Sequence, residues 1–362
     1  MFSGFSAYVG CRTTRERQAR GDGINVYRVD ADTGCWSHLQ LVGGLVNPSF
    51  LALDRNQRFL FAVHGDGEEL SAFRIDAATG CLRFLNRVPI GGRNPVHLAV
   101  DPTNRFIVVP NHITSTLAVL SFDPETGHLK GLTDLVTLQG SIGPHRVEQP
   151  FAKPHQTEFD RAGRFILVPD KGLDRVFTFR LDPSGRLAPS EQGSVAAREN
   201  AGPRHVALHP GGGLAYVVNE MDSSITACRY DAGAGRLEPF QIVPSLPDSF
   251  TGNSRAAEIA VSSDGRFVYA SNRGHDSIGV FAVEAGTGRL SPTQWVPAGR
   301  TPRFFALDPS GRFLFVAGED DDCILAFAVN ASIGHLTRIA ETARTGSPVC
   351  MIFGRAGPPE HT

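Results

Sequence analysis

The sequence predicts an all-β protein, a seven-bladed β-propeller with four-stranded antiparallel blades. Two repeated phrases predict it: one occurs in six full copies and begins a seventh, and the other occurs seven times. The composition agrees, because 39 Gly and 24 Pro in 362 residues indicate many tight turns and few helices. No stretch shows helical periodicity.

The first phrase supplies the first two strands of each predicted blade. It consists of a Pro, an alternating apolar strand, a turn of the D-P-x-G kind, Arg-Phe and a second apolar strand, as in TPRFFALDPSGRFLFVAGE. Neighbouring copies begin 46 to 59 residues apart, which is a period typical of one four-stranded blade. The full copies span 47–63, 94–111, 153–170, 202–220, 254–273 and 301–319, and the truncated copy spans 347–354.

The second phrase supplies the third and fourth strands. It places two strands around an acidic, Gly-containing turn, as in VYRVDADTGCW and FAVEAGTGRL. The truncated seventh copy lacks a second strand, whereas the amino terminus carries an unpaired one, FSAYVGCR, at 5–12. We therefore expect a single propeller domain over 1–362, with the ring closed by 5–12 against 347–354 and a tail at 355–362.

The composition excludes several function classes. A formal net charge of −2 without a Lys/Arg block gives no general attraction to nucleic acid or to an anionic membrane surface. The amino terminus has neither a basic leader nor a long apolar run, so we expect a cytoplasmic protein. Six scattered Cys without a CxxC pair indicate reduced thiols. We expect a monomer or weak homo-oligomer that uses no cofactor.

Polar residues that vary between copies are predicted to gather at one mouth of the central channel. The first strand of each blade lines the channel, so residues after the repeat Pro lie at the same end as the last residues of the second strand. The first column contains His97, His155, Gln156, Arg204, His205, Glu258 and Arg303. The second column contains His64, Asn111, His112, Asp170, Lys171, Asn219, Glu220, Asn272, Arg273 and Glu319. Variation on a repeating scaffold is typical of a functional site.

Two interpretations of these columns stay open. Any one residue could simply line a wet channel, or an Arg could pair with carbonyl groups at a blade edge. As a group, three arginines, a lysine, several histidines and a few carboxylates at one mouth are costly to hold together without an anionic ligand. The columns therefore favour a small anionic molecule as ligand.

Seven segments carry a family resemblance across nearly the whole chain: YVGCRT, GINVYRVDADTG, KPHQTEFDRAGRFILVPDKGLDR, GPRHVALHP, YVVNE, GRFVYASNR and TPRFFALDPSGRFL. Together they resemble the bacterial lactonase family, which is similar to propeller-type 6-phosphogluconolactonases and to fungal 3-carboxy-cis,cis-muconate lactonising enzymes. The resemblance implies the propeller fold and, as substrate, a small anionic lactone or a related diacid.

The resemblance also implies a catalytic group. The family's His after Pro falls on His155, its PRH motif on Arg204 and His205, its NE motif on Asn219 and Glu220, and its SNR motif on Asn272 and Arg273. In the lactonising branch the residues at His155, Arg204, Glu220 and Arg273 form the site. This chain departs from the family where YVGTYT reads YVGCRT, where DLG reads DKG, and where an NE near the first blade reads His64-Gly65. These departures add Arg12 and Lys171 at or near the mouth and leave the substrate open.

Lactone hydrolysis needs an activated water, groups that stabilise the oxyanion, and an acid for the departing alkoxide. We expect His155 and Glu220 to transfer protons, and Arg204 and Arg273 to hold the anionic group and polarise the carbonyl. The absence of a G-x-S-x-G phrase argues against a nucleophilic Ser. Further substrate contacts are expected from Arg146, Gln149, Asp170, Lys171, His205, Asn219, Asn272 and Arg303.

Arg146 and Gln149 belong to the longest insertion, 141–155, which we expect to fold over the mouth. The alternative for Arg146 is an exposed loop charge.

Three other functions stay open. A cycloisomerase that closes a carboxylate onto an alkene needs similar residues. A Ca²⁺-dependent sugar lactonase would use oxygens of Glu220, Asn219 and Asp170, but the neighbouring cations would repel a metal, so we expect no metal site. A non-enzymatic binding propeller would spread aromatic residues over its top face, whereas Trp36 and Trp295 fall in the third-to-fourth strand region.

Overall fold

A computed structural model describes residues 4–355 and contains 28 strands in seven four-stranded sheets. The predicted seven-bladed propeller is thereby confirmed. The described residues also include one 3₁₀ turn at Arg15–Arg17. No helix in this part of the chain is long and apolar enough to span a membrane.

The strands follow the order of the two phrases. In the first half of the chain they are β1 (Gly4–Cys11), β2 (Gly23–Asp30), β3 (Trp36–Gly43), β4 (Pro48–Leu53), β5 (Phe59–His64), β6 (Glu69–Ile75), β7 (Leu82–Pro89), β8 (Ala99–Val100), β9 (Phe106–Asn111), β10 (Thr116–Phe122), β11 (Leu129–Thr137), β12 (Glu158–Phe159), β13 (Ile166–Asp170) and β14 (Arg175–Leu181). In the second half they are β15 (Leu187–Ala196), β16 (Pro203–Leu208), β17 (Leu214–Asn219), β18 (Ser224–Asp231), β19 (Arg236–Pro244), β20 (Arg255–Val261), β21 (Phe267–Arg273), β22 (Ser277–Val283), β23 (Leu290–Pro297), β24 (Pro302–Leu307), β25 (Phe313–Gly318), β26 (Cys323–Val329), β27 (Leu336–Arg344) and β28 (Pro348–Gly354). Blades 1 to 6 each use four consecutive strands from β4 onward, and blade 7 has the order β28, β1, β2, β3.

The two ends of the described chain meet in blade 7. Strand β1 pairs antiparallel with β28, with Ser6 opposite Gly354 and Cys11 opposite Pro348. The inner strand β28 contacts β4 and β24, the inner strands of the blades on either side. The predicted closure is confirmed, and it locks the ring by joining first and last segments in one sheet. Of the predicted tail 355–362, everything after residue 355 lies outside the described residues.

The hydrophobic core lies between the blades. Seven clusters of buried apolar side chains fill the seven interfaces between neighbouring blades. Between blades 1 and 2, Phe59 and Phe61 of β5 share a cluster with Ile107 and Val109 of β9. Because both faces of a blade are covered in this way, the second strands read as continuous apolar runs.

The recurring Asp and Arg of the first phrase hold the inner hairpins. In blade 1, Asp54 Oδ1 accepts hydrogen bonds from the N–H groups of Arg58 and Phe59 at 2.6 and 2.7 Å. Asp101, Asp160 and Asp308 accept equivalent bonds in blades 2, 3 and 6. The side chain of Arg58 donates to the Pro124 carbonyl on the outer turn of the next blade. Arg164, Arg266 and Arg312 make the same connection to their next blades.

In every blade the inner strand has one residue more than the second strand with which it pairs. The extra residue follows the repeat Pro, or Ala256 in blade 5, where Ala replaces that Pro. The extra residue is Ser49, Arg204, Arg303 and Val349 in blades 1, 4, 6 and 7, and blade 5 sets Ala257 and Glu258 against one partner residue. In blades 2 and 3 the predicted first strand is interrupted, because an isolated bridge at Pro95 or Pro154 precedes a two-residue strand. Such bulges redirect side chains, and here they turn the residues after the Pro toward the channel mouth.

Candidate active site

A cavity of about 170 Å³ lies at the channel mouth marked by the repeat Pro residues, and all seven blades contribute to its wall. Seven of the twelve predicted site residues line it: His155, Lys171, Arg204, His205, Glu220, Arg273 and Arg303. Their convergence comes from the bulges after the Pro residues and from the ends of the second strands.

The cavity wall is strongly cationic. Its six Arg and Lys residues are Arg12, Arg17, Lys171, Arg204, Arg273 and Arg303, and Glu220 is the one carboxylate among the described lining residues. Three further carboxylates, Glu148, Glu319 and Asp66, pair with these cations from outside the wall. Arg255 also pairs with Glu148 and Glu220 from outside the wall. Seven positive charges against four negative ones therefore leave an excess of three positive charges around the cavity.

Glu220, directly after β17, connects three of these cations. Its Oε1 lies 3.0 Å from Lys171 Nζ, and its Oε2 lies 3.2 Å from Arg204 Nε and 3.2 Å from Arg273 Nη2. Burial alone would raise the pKa of Glu220, but Arg273, Lys171 and Arg204 outweigh burial and hold that pKa well below its usual range. Glu220 is therefore ionised at neutral pH and fixes the three cations around it.

Two guanidinium groups are also held by backbone carbonyls of β20. Arg204 Nη1 donates to the Ala257 carbonyl at 2.5 Å, and Arg273 Nη2 donates to the Ala256 carbonyl at 3.1 Å. Burial, and then repulsion from Arg273 and Arg303, lower the pKa of Arg204 to about 9. The cations are thus rigidly placed in mutual repulsion, which an anion in the cavity would relieve.

Arg12 and Arg303 form the opposite side of the wall. Arg12 Nε pairs with Glu319 Oε1 at 2.8 Å, and burial followed by repulsion from Arg303 lowers the pKa of Arg12 to about 10. Arg303 lines the cavity, and its guanidinium makes no hydrogen bond or ion pair within residues 4–355. The Arg303 guanidinium is therefore available to bind a ligand.

The insertion 141–155 reaches the site through a residue that sequence reasoning missed. Glu148 places Oε2 at 2.9 Å from Lys171 Nζ and Oε1 at 2.9 Å from Arg255 Nη2. Gln149 is buried and donates from Nε2 to the Lys171 carbonyl at 2.8 Å, so it positions Lys171 from behind the wall. Arg146 is exposed and does not line the cavity, which matches the alternative considered for it.

Asp170, Asn219 and Asn272 also lie behind the wall, not in it. Asp170 Oδ1 accepts two backbone N–H groups, Asn219 donates to two hydroxyls of β18, and Asn272 donates to the Ser245 carbonyl. Consecutive residues of a strand end point in opposite directions. In each pair the second residue, Lys171, Glu220 or Arg273, therefore faces the cavity, and the first one anchors the turn.

Two histidines and a carboxylate form a hydrogen-bonded chain that runs from the cavity wall into the protein interior. His155 Nδ1 lies 3.2 Å from His205 Nε2, and His205 Nδ1 lies 2.9 Å from Glu258 Oε1. Burial, and then Arg204, lower the pKa of both histidines well below the usual value, so both rings are neutral at neutral pH. Glu258 belongs to the first column of the sequence analysis, but no sequence pattern predicted that it pairs with His205.

The oxygen ligands considered for Ca²⁺ do not converge. Glu220 contacts four cations, while Asp170 and Asn219 are outside the lining. Among residues 4–355, no group of three or more His, Cys, Asp or Glu side chains is placed to hold a metal ion.

Comparison with known proteins gives a consistent result. The family model described as "Lactonase, 7-bladed beta-propeller" matches residues 6–353. The chain is 34% identical over 353 residues to the 6-phosphogluconolactonase of Bacillus subtilis, a match that covers 96% of this chain and 98% of the relative. It is 31% identical over 302 residues to the 6-phosphogluconolactonase of Formosa agariphila, covering 80% and 83%.

A solved structure is similar over the whole ring. The periplasmic gluconolactonase PpgL of Pseudomonas aeruginosa superposes with a TM-score of 0.90 at 27% identity, and the match covers 98% of this chain and 100% of that one.

Proposed function

The chain belongs to the lactonase family of seven-bladed β-propellers, and from that premise we propose that it hydrolyses a small anionic lactone, with 6-phosphoglucono-δ-lactone as the expected substrate. Relatives named as 6-phosphogluconolactonases support the substrate class. The observation that carries the proposal is the cationic cavity, whose six Arg and Lys residues face a single lining carboxylate.

The excess charge suits a phosphorylated lactone. A phosphate monoester carries roughly −1.5 to −2 charges near pH 7, which offsets most of the excess of three positive charges around the cavity. Arg12 and Arg303 belong to blades 7 and 6, across the ring from His155 in blade 3. We place the phosphate at Arg12 and Arg303, since guanidinium groups bind phosphate oxygens in pairs. The lactone carbonyl then lies toward Arg204 and Arg273, and Lys171 assists them.

In this arrangement water attacks the carbonyl carbon directly. His155, neutral because burial and Arg204 lower its pKa, takes the proton from that water. Arg204 and Arg273 stabilise the developing oxyanion with donors whose positions are already fixed by Glu220 and by the β20 carbonyls. Of the two proton-transfer candidates we favour His155, because Glu220 is held ionised by three cations and has no proton to give. Glu220 instead serves as their counter-ion.

We propose that hydrolysis needs no metal, because the cations around Glu220 repel a divalent ion and the other two oxygen donors face away from the cavity. The monomeric or weakly oligomeric state, the absence of a nucleic-acid partner and the cytoplasmic location stay predictions. One similar protein is named as periplasmic, so location has to be decided by cell fractionation.

The test is a pH-indicator assay of proton release on fresh 6-phosphoglucono-δ-lactone, unphosphorylated gluconolactone and a carboxylated muconolactone, each with and without EDTA. We expect the phosphorylated lactone to open fastest and EDTA to leave its rate unchanged. Rates no higher than the spontaneous ones for all three lactones would contradict the proposal, and a rate abolished by EDTA would contradict its metal-free form.

A further inference from the structure

A hydrogen-bonded chain of three buried groups leads away from the cavity. The His155, His205 and Glu258 side chains are joined by the 3.2 and 2.9 Å contacts described above, and each residue is at most 6% exposed. His155 and His205 line the cavity, whereas Glu258 lies behind them. From this geometry we propose that His205 and Glu258 form a proton relay through which His155 acts as base and acid, an inference that rests on the proposed lactone hydrolysis.

Neighbouring donors fix the direction of the relay. Ionised Glu258 can only accept hydrogen bonds, and its Oε1 already accepts the N–H of Ile259 at 3.0 Å. When Glu258 is ionised, His205 Nδ1 therefore carries the hydrogen that points at this oxygen. His205 Nε2 is then a lone pair, which accepts the Nδ1–H of His155. The remaining nitrogen, His155 Nε2, is left unprotonated and is free to receive a proton from water in the cavity.

The cationic wall explains why a relay is needed. An imidazolium at His155 would add a positive charge beside Arg204 and Arg303, the same neighbours that, after burial, lower the pKa of His155. Passing the proton on avoids that charge. As the water oxygen bonds to the carbonyl carbon, its proton goes to His155 Nε2, the Nδ1 proton of His155 goes to His205 Nε2, and the Nδ1 proton of His205 goes to Glu258 Oε1. Both rings end neutral, and the negative charge moves from Glu258 to the lactone oxygen held by the arginines.

Ring opening reverses the direction of these proton transfers. Glu258 returns its proton to His205 Nδ1, His205 Nε2 returns one to His155 Nδ1, and His155 Nε2–H protonates the ring oxygen as the C–O bond breaks. The oxyanion reforms the carbonyl, and Glu258 is again a carboxylate. The protein thus supplies base and acid from one residue, and His205 and Glu258 act through His155 as positioning residues.

Glu258 is suited to the end of this chain. Its Oε2 has no hydrogen-bond partner within residues 4–355. Burial raises the pKa of Glu258 to about 8 although Arg204 opposes the rise, so its carboxylate accepts a proton more readily than an ordinary one. Other titratable or charged groups that act on the three members, or on their immediate neighbours, are His97, His112, Glu158, Arg204, Glu220, Arg273 and Arg303. Since Glu258 must be ionised to accept, kcat/KM should rise with pH through about 8.

The variant Glu258→Gln distinguishes a role of Glu258 in proton transfer from a purely structural role. Its side-chain carbonyl can still accept from His205 and Ile259, but it cannot take a proton. We expect kcat to fall by about 10²-fold or more, the rise near pH 8 to disappear, and the melting temperature to stay close to wild type. The matched control is Glu158→Gln, a nearby carboxylate that lines a separate cavity, and it should keep the rise. Wild-type kcat and pH profile in Glu258→Gln would overturn the relay.

A second measurement needs neither a variant nor activity. In the ¹⁵N-labelled wild-type protein above pH 8, where Glu258 is ionised, NMR should show the Nδ1–H tautomer for both His155 and His205. An Nε2–H tautomer for either one at that pH would overturn the relay. The two proposals fail differently. Lactone opening with an unaltered Glu258→Gln variant would refute only the relay, whereas the expected tautomers without opening of any lactone would refute only the proposed function.

Discussion

The two ends of the inner hairpins differ in a way that separates stability from function. At one end the same Asp recurs in blades 1, 2, 3 and 6 and accepts the same backbone bonds each time. At the channel mouth, the positions after the repeat Pro hold Ser49, His155, Arg204 and Arg303 in different blades. The repeated Asp satisfies the backbone of the inner hairpin in these four blades, whereas the residues that vary build a single charged cavity. Substitutions at the two ends should therefore have opposite consequences.

The largest effect is expected at the mouth. Arg204→Met removes a guanidinium fixed by Glu220 and by the Ala257 carbonyl, so kcat/KM for the phosphorylated lactone should fall about 10²- to 10³-fold. The melting temperature should change little, because Glu220 keeps Lys171 and Arg273 as partners and one repelling cation is gone. Steady-state kinetics and thermal unfolding on the same sample check this. A large loss of stability with unchanged kcat/KM would contradict the assignment of the channel mouth to function and of the opposite turns to stability.

A smaller and opposite effect is expected at a repeated turn. Asp308 is buried and accepts the N–H groups of Phe313 and Ser310 at 2.8 and 3.1 Å. Asp308→Ala should lower the free energy of unfolding by about 1–3 kcal/mol, because buried donors lose their acceptor. Below the unfolding transition kcat/KM should stay at the wild-type value.

Urea unfolding of Asp308→Ala, compared with Asp308→Asn, measures the loss. The Asn variant keeps an acceptor at the same place and should lose less. A reduced kcat/KM in folded Asp308→Ala would show that the far turn contributes to the site.

The smallest effect is expected at Arg303, and it tests where in the channel mouth the phosphate binds. Arg303 lines the cavity and has no side-chain partner within residues 4–355. Arg303→Met should therefore lower the ratio of kcat/KM for phosphorylated over unphosphorylated gluconolactone about tenfold, the size of one charge-assisted hydrogen bond. The exposed Arg289, on the turn between β22 and β23, provides the control Arg289→Met, which should leave the ratio as it is. An equal fall for both substrates in Arg303→Met would move the phosphate elsewhere.

The sequence was sufficient for the fold because the repeat encodes it. Most blades repeat the Pro and the polar turn, and all repeat the apolar alternation, so strand number, order and closure followed from counting copies. The seven predicted site residues that line the cavity were found for the same reason: the repeat showed which positions share one end of the channel.

The rest of the site depends on side-chain orientations and cross-blade contacts, which cannot be read from the repeat. Asp170, Asn219 and Asn272 stand next to Lys171, Glu220 and Arg273, and only the backbone register decides which of two neighbours faces the cavity. Glu148 lies in an insertion without a counterpart in other copies, so no alignment of blades could place it on Lys171. The pairing of Glu258 with His205 joins blades 4 and 5, and such cross-blade contacts require coordinates.

We expect the cationic mouth to open a phosphorylated lactone. The most direct test compares initial rates of proton release from 6-phosphoglucono-δ-lactone for the wild-type protein and for Arg204→Met, at equal concentration and with both proteins shown to be folded. The wild-type rate should lie well above spontaneous opening, and the variant rate should be about 10²- to 10³-fold lower. Equal rates for the two proteins, or a wild-type rate no higher than the spontaneous one, would contradict this expectation.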